Sequence, residues 1–272
     1  MIEILKKQFT GNMPAEEKLN RVREFLQIMA LKILYDKGAL NNLVFVGGTA
    51  LRVLYDIRRF SEDIDFSLIQ KKDYDFLELN AELLRGFKLN GLSAESNPKD
   101  KKENTVHGTF LKFSGLLKEV GLSALDSQKL SIKFEIDTNP PKGGHLASTL
   151  VNKTYIFNVT HFDLPSAFAT KLHACFYRKF TKGRDFYDFI WYMGRKVKPN
   201  YVLLNNAIEQ TEGSNPHLNE GNFKEFLLKN TERIDFNQAK KDVERFLEDK
   251  SELRLFDKKL ITSSIDSVYS GQ

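Results

Sequence analysis

Apolar residues along the first third of the chain fall into two distinct rhythms. From Pro14 to Lys37 they recur at helical spacing (Leu19, Val22, Phe25, Leu26, Met29, Ile33), and Gly38 follows as a stop, which predicts a long amphipathic helix. Asn42 to Val46 is a short apolar run, Gly47-Gly48 a sharp break, and Thr49 to Tyr55 has helical character. The pattern predicts strand, tight turn, helix. From Ser61 to Leu68 the rhythm changes to strict alternation, with Asp63, Asp65 and Ser67 on one face and Ile64, Phe66 and Leu68 on the other. Asp73 to Gly86 predicts a further helix, and Asn97 to Asn104 an exposed loop. Two more strands are expected at Thr105 to Phe113 and Lys129 to Asp137, the second ended by Asn139-Pro140-Pro141-Lys142-Gly143-Gly144. After a short strand at Tyr155 to Val159, Leu164-Pro165-Ser166 opens a mainly helical remainder. The expected organisation is α+β, with a mixed α/β part over residues 1–162 and a helical part over 163–272.

Composition narrows the class. With 41% hydrophobic and 28% charged residues the chain is an ordinary globular protein, neither disordered nor fibrous. The single cysteine, Cys175, excludes an intrachain disulfide and a cysteine-based zinc cage. The opening MIEILKKQFTGNMPAEEK breaks its apolar stretch with charge at once, and no apolar run reaches membrane length, so a cytoplasmic protein with no membrane partner is expected. The net charge of +5 gains meaning from its distribution: between Ser166 and Asn200 eight basic residues face only Asp185 and Asp188.

The chemistry concentrates in Val44-Phe45-Val46-Gly47-Gly48-Thr49-Ala50-Leu51 and the Asp63-Ile64-Asp65 that follows it. Glycines at the end of a strand let the backbone approach a ligand, and a helix beginning at Thr49 offers free N–H groups to phosphate. Two carboxylates at i and i+2 on a strand point the same way and repel one another unless they share a cation. Each feature alone has a plain structural reading: a turn, a helix cap, a solvent-facing strand. Their conjunction suits magnesium with a nucleoside triphosphate.

The order of glycine pair, helix and D-x-D strand resembles the nucleotidyltransferase site related to DNA polymerase β. More narrowly, GGTALRVLYDIRRFSEDIDF resembles the first motif of the AbiEii/AbiGii toxin family of nucleotidyltransferases. Lys171-Leu172-His173-Ala174 and Arg184-Asp185-Phe186-Tyr187-Asp188-Phe189 resemble that family's later motifs. Together these motifs span most of residues 44–190, and the stretch after 190 carries none of them.

The resemblance implies a polymerase-β-like core, a mixed sheet flanked by helices, with a helical C-terminal region that contributes Lys171 and Asp185 to the site. It implies Asp63 and Asp65 as ligands of Mg2+ or Mn2+, and Gly47, Gly48 and Thr49 as contacts to the NTP. Lys171 would bind the triphosphate, and Asp185 would orient Lys171 or the acceptor hydroxyl. A third acid on a neighbouring strand is expected, with Glu135 preferred over Asp137 because it sits mid-strand. The implied reaction moves an NMP from an NTP to a hydroxyl and releases pyrophosphate. The implied setting is a toxin-antitoxin or phage-defence system, with a cognate antitoxin as partner and the tRNA 3′ end as acceptor. Three alternatives stay open: modification of protein by AMP or UMP, a non-catalytic nucleotide-binding module, and transfer to a small-molecule acceptor, which the basic segment disfavours.

Basic residues near the motifs are expected to meet RNA. Arg58 and Arg59 precede the D-x-D, while Arg178, Lys179, Lys182 and Arg184 interleave with Phe176, Tyr177 and Phe180. The five histidines show no metal-binding spacing.

Overall fold

The computed structural model of the protein describes residues 1–98, 104–178, 180 and 182–269. The chain divides into two compact units. The first comprises Met1–Asp56, Phe60–Asn139 and Ala147–His161; the second comprises Ile57–Arg59, Pro140–Leu146 and the chain from Phe162 onward. The second unit thus borrows two short earlier segments, a feature that a composition shift near residue 162 does not convey.

The first unit runs α1 (Ile2–Lys6), α2 (Ala15–Asp36), β1 (Leu43–Val46), α3 (Gly47–Tyr55), β2 (Asp63–Leu68), α4 (Phe76–Leu89), β3 (Ala94–Glu95), β4 (Val106–Phe113), α5 (Leu116–Glu119), β5 (Leu130–Asp137), β6 (Leu146–Asn152) and β7 (Ile156–Phe162). Its strands form a mixed sheet in the order β3-β4-β5-β2-β1-β7-β6. β2 runs parallel to β5 and antiparallel to β1, and β1 pairs in parallel with β7. This is the α+β, polymerase-β-like arrangement expected, with four elements the periodicity did not indicate: α1, β3, α5 and β6.

Alternation explains why one sheet face is covered and the other is polar. Ile64, Phe66, Leu68, Ile132, Phe134, Ile136, Leu111 and Phe113 join α2 and α4 in one continuous apolar core. In β5 every second residue is buried and the intervening ones are half-exposed, so Lys133, Glu135 and Asp137 line the opposite face with Asp63 and Asp65. The carboxylates therefore stand on a sheet whose underside is anchored by about eight buried side chains, each worth roughly 1.5–3 kcal/mol of burial.

The second unit is helical: α6 (Leu164–Tyr177), α7 (Gly183–Gly194), α8 (Tyr201–Glu212), α9 (Phe223–Thr231), α10 (Phe236–Val243) and α11 (Lys258–Val268). Asp163 caps α6 by accepting from Ser166 N, with a proline early in the first turn. The Pro140–Leu146 segment is pinned to this unit through Asn200, whose amide donates to Gly143 O at 2.7 Å and to Ser166 Oγ at 3.1 Å. Phe168 stacks on Tyr192 with ring centroids 4.5 Å apart. Among the described residues no helix is long and apolar enough to cross a membrane.

Candidate active site

In the first unit, β1 ends at Val46 and the chain turns directly into α3. Gly47 makes the turn at φ +79°, in the left-handed region, and a Cβ at this position would lie 2.5 Å from Asp65 Oδ2. Glycine is therefore required twice over, for the backbone and for the space its missing side chain yields to the carboxylate. The helix begins at Gly47, two residues before the point that periodicity suggested. The N-cap residue of α3, Val46, has no polar side chain to cap the helix, and the Asp65 carboxylate lies against the helix start.

Two braces hold the D-x-D strand. The Thr49 hydroxyl donates to the carbonyl of Asp63, and Thr49 is fully buried. Its hydroxyl is thereby committed to the protein. The second brace is Gln27 on α2, whose amide donates to Ser61 O at 3.1 Å and to Asp63 O at 3.3 Å. Gln27 escaped the sequence reading. Its signal was a lone amide inside Phe25-Leu26-Gln27-Ile28-Met29, since a polar group placed among core residues needs a buried partner.

Asp65 pairs in register with Glu135 on β5, and Asp63 with Lys133. Glu135 accepts a salt bridge from Lys133 at 2.7 Å. Glu135 thus lies on the same sheet face as Asp63 and Asp65, and among the described residues no group of three His, Cys, Asp or Glu gathers to hold a metal ion. Asp137 instead accepts from the N–H of Asn139 at 2.9 Å, the turn-starting role of an acid at a strand end. Burial raises the Asp137 carboxyl above its usual range.

In the second unit a compact ion network surrounds Lys171. Its Nζ lies 2.8 Å from both Asp185 Oδ1 and Asp188 Oδ2. Arg59 donates through Nε to Asp188 Oδ1 at 2.7 Å and through Nη2 to Asp188 Oδ2 at 2.5 Å. Arg178 meets Asp185 Oδ2 at 2.7 Å. Arg59, Lys171, Asp185 and Asp188 are all buried. Burial alone would lower the Lys171 ammonium, yet Asp185 and Asp188 outweigh it and raise Lys171 above its ordinary value. Burial alone would likewise raise Asp185, but Lys171 and Arg178 bring it down to about 2. Both partners are therefore ionised at neutral pH. The buried Cys175 thiol donates to Asp185 O at 3.2 Å, and burial drives it well above its ordinary value.

The positions expected to meet RNA separate into distinct groups. Arg59 is inside the ion network and presents nothing to a polyanion, because its guanidinium is spent on Asp188. Arg58 is largely exposed and bridges to Glu252 at 3.0 Å. Arg178 is half-exposed beyond its pairing with Asp185, and Lys182 is exposed at the start of α7. Arg184 stacks over the Phe246 ring at 4.2 Å, and Lys179 lies outside the described residues. Of the interleaved aromatics, Phe176 packs on Phe186, Phe189 and Phe226, whereas Phe180 is exposed.

Comparison with known proteins bears on the family and the fold. The family model described as nucleotidyl transferase AbiEii toxin, type IV TA system, matches residues 30–262, well beyond the motifs themselves. A search among curated proteins returns no match. Among solved structures, a candidate nucleotidyltransferase from H. pylori aligns with TM-score 0.56 and 18% identity, covering 91% of this chain and 93% of its own. JHP933 from Helicobacter pylori aligns with TM-score 0.46 and 17% identity, covering 90% and 94%. The first of these likenesses speaks for the fold alone.

Proposed function

The chain belongs to the AbiEii nucleotidyltransferase toxin family, and from that membership we propose that it moves a nucleoside monophosphate from a nucleoside triphosphate to the 3′-terminal hydroxyl of tRNA, depends on magnesium or manganese, and is opposed by a cognate antitoxin. The observation that supports the reading is the seating of Asp65 in the space that Gly47 leaves, which puts the D-x-D beside the start of α3.

The residues present fit a divalent cation. Asp63 and Asp65 supply hard oxygen donors from one strand face, and the cradle at Gly47 keeps the Asp65 carboxylate where a side chain would displace it. A bound ion of this kind would draw charge from the phosphates and favour ionisation of the attacking hydroxyl.

The remaining contributions belong to the chain itself. Backbone N–H groups at Gly48 and Thr49 would hold phosphate oxygens at the positive end of α3. Gln27 and Thr49 hold the backbone of Asp63 against displacement, so the carboxylates need no reorganisation as the reaction proceeds. Lys171 is kept protonated and held in place by Asp185 and Asp188. Arg178 and Lys182 supply positive charge suited to an RNA backbone.

The test is incubation of the full chain with magnesium, each labelled triphosphate in turn, and total tRNA mixed with protein. Label on RNA that is lost in Asp65→Asn supports the reading. Label on protein alone refutes the RNA acceptor, and no transfer to either polymer refutes the polymer-modifying role.

A further inference from the structure

The polar face of the sheet continues past the D-x-D. The register aligns two rows across β2, β5 and β4: Asp63, Lys133 and Phe110 in one, and Asp65, Glu135 and Gly108 in the other. Phe110 is 50% exposed, although an aromatic ring in mid-strand would ordinarily be covered. Lys133 stands between Phe110 and Asp63, its ammonium steadied by Glu135 at 2.7 Å. The Glu135 side chain lies close over Gly108, where a Cβ would approach it to 3.2 Å. A cleft of about 360 Å³ opens along the first row, lined by Asp63, Phe110, Lys133, Lys129, Ser131 and Arg23 among others. Lys112, on the same face of β4, is exposed.

We propose that this face is the docking platform for the single-stranded 3′ end of the acceptor RNA: a terminal base stacks on Phe110, and the adjoining phosphates lie along Lys133, Lys112, Lys129 and Arg23. The inference rests on the RNA-acceptor reading above. An exposed aromatic ring between cations is the arrangement by which single strands are held without sequence readout. Phe110 and Asp63 stand two strand spacings apart along the row, about 10 Å between backbones, which suits delivery of a terminal hydroxyl to the carboxylates. Three cations line the cleft, Arg23, Lys129 and Lys133, each bridged to a carboxylate (Glu62, Glu95 and Glu135), and Lys112 adds an exposed positive charge on the same face. In this arrangement Glu135 is a positioning residue for Lys133.

The test uses the full chain and a fluorescein-labelled single-stranded oligoribonucleotide, read by anisotropy, beside transfer assays that resolve the KM for RNA from the KM for the triphosphate. Phe110→Ala should weaken oligonucleotide binding and raise the RNA KM by about 5- to 150-fold, with the triphosphate KM unchanged. Phe110→Tyr should restore both. Lys112→Gln, at an exposed position that cannot upset the core, should reduce the salt dependence of binding by about 0.7 in slope. Should Phe110→Ala fail to fold, that slope decides. Wild-type labelling of RNA together with unchanged affinity in Phe110→Ala and an unchanged slope in Lys112→Gln overturns the platform and leaves the transferase reading standing. Wild-type labelling of protein alone overturns that reading, and the platform with it.

Discussion

Arg59 grips Asp188 with two parallel hydrogen bonds, Nε to Oδ1 at 2.7 Å and Nη2 to Oδ2 at 2.5 Å, and both side chains are buried. Asp188 spends its second oxygen twice, since Lys171 also lies 2.8 Å from Oδ2. Removing Asp188 strands two cations away from water. Asp188→Ala should therefore cost about 3–5 kcal/mol, measured by urea or thermal unfolding. Arg59→Lys should not recover the wild-type value, because an ammonium cannot reproduce the bidentate fork.

The Asp185 carboxyl, held at about 2, ties stability to pH. In the unfolded chain this group titrates near 3.8, so between those values the unfolded state binds the proton that the folded state refuses. The stabilisation, on the order of 2 kcal/mol, is fully present above pH about 4 and is lost as pH falls toward 2. Unfolding midpoints measured between pH 5 and 2 should fall more steeply in the wild type than in Asp185→Asn, which lacks the titrating group.

Gly47→Ala confronts Asp65 Oδ2 at 2.5 Å and places a side chain on a residue at φ +79°. The carboxylate has to move, so nucleotide transfer should fall by about 100-fold or more, the scale on which a displaced catalytic group acts. Far-UV circular dichroism should report a retained fold.

At Gly183 the obstacle is backbone. An added Cβ would meet Ala239 O at 1.9 Å, while Gly183 N donates to Asp242 Oδ2 at 2.7 Å. The start of α7 is thus fitted against α10, and neither backbone can yield cheaply. Gly183→Ala should destabilise the protein by about 2 kcal/mol or more, seen as a lowered Tm. Asp242→Ala should cost less, about 1 kcal/mol, because it loses only a cap.

Local rhythm made much of this legible. β2 and β5 could be read because one face is buried and the other polar, the condition under which alternation appears in a sequence. β6 lacks that condition: along Leu146–Asn152 only Val151 is buried, and an edge strand with nothing to cover leaves no period. β3 spans two residues and carries no pattern at all. The carboxylate pair could be read because two acids at i and i+2 share a face by strand geometry. The ion network could not, since Arg59 and Asp188 are 129 positions apart, and an arginine beside a strand looks the same whether it faces solvent or a buried acid. Arg59 was accordingly expected to meet phosphate and instead belongs to the interior. Gln27 reaches Asp63 across 36 positions, a distance over which only the fold relates residues.

The central claim is that Asp63 and Asp65 carry nucleotide transfer. The most direct measurement is transfer of labelled nucleotide to RNA by the wild type, Asp63→Asn and Asp65→Asn, with the Tm of each protein taken in parallel. Both variants should retain the wild-type Tm within about 2 °C and lose at least about 1,000-fold in transfer, and a chelator should silence the wild type to the same degree. Transfer at the wild-type rate by either folded variant would contradict the account.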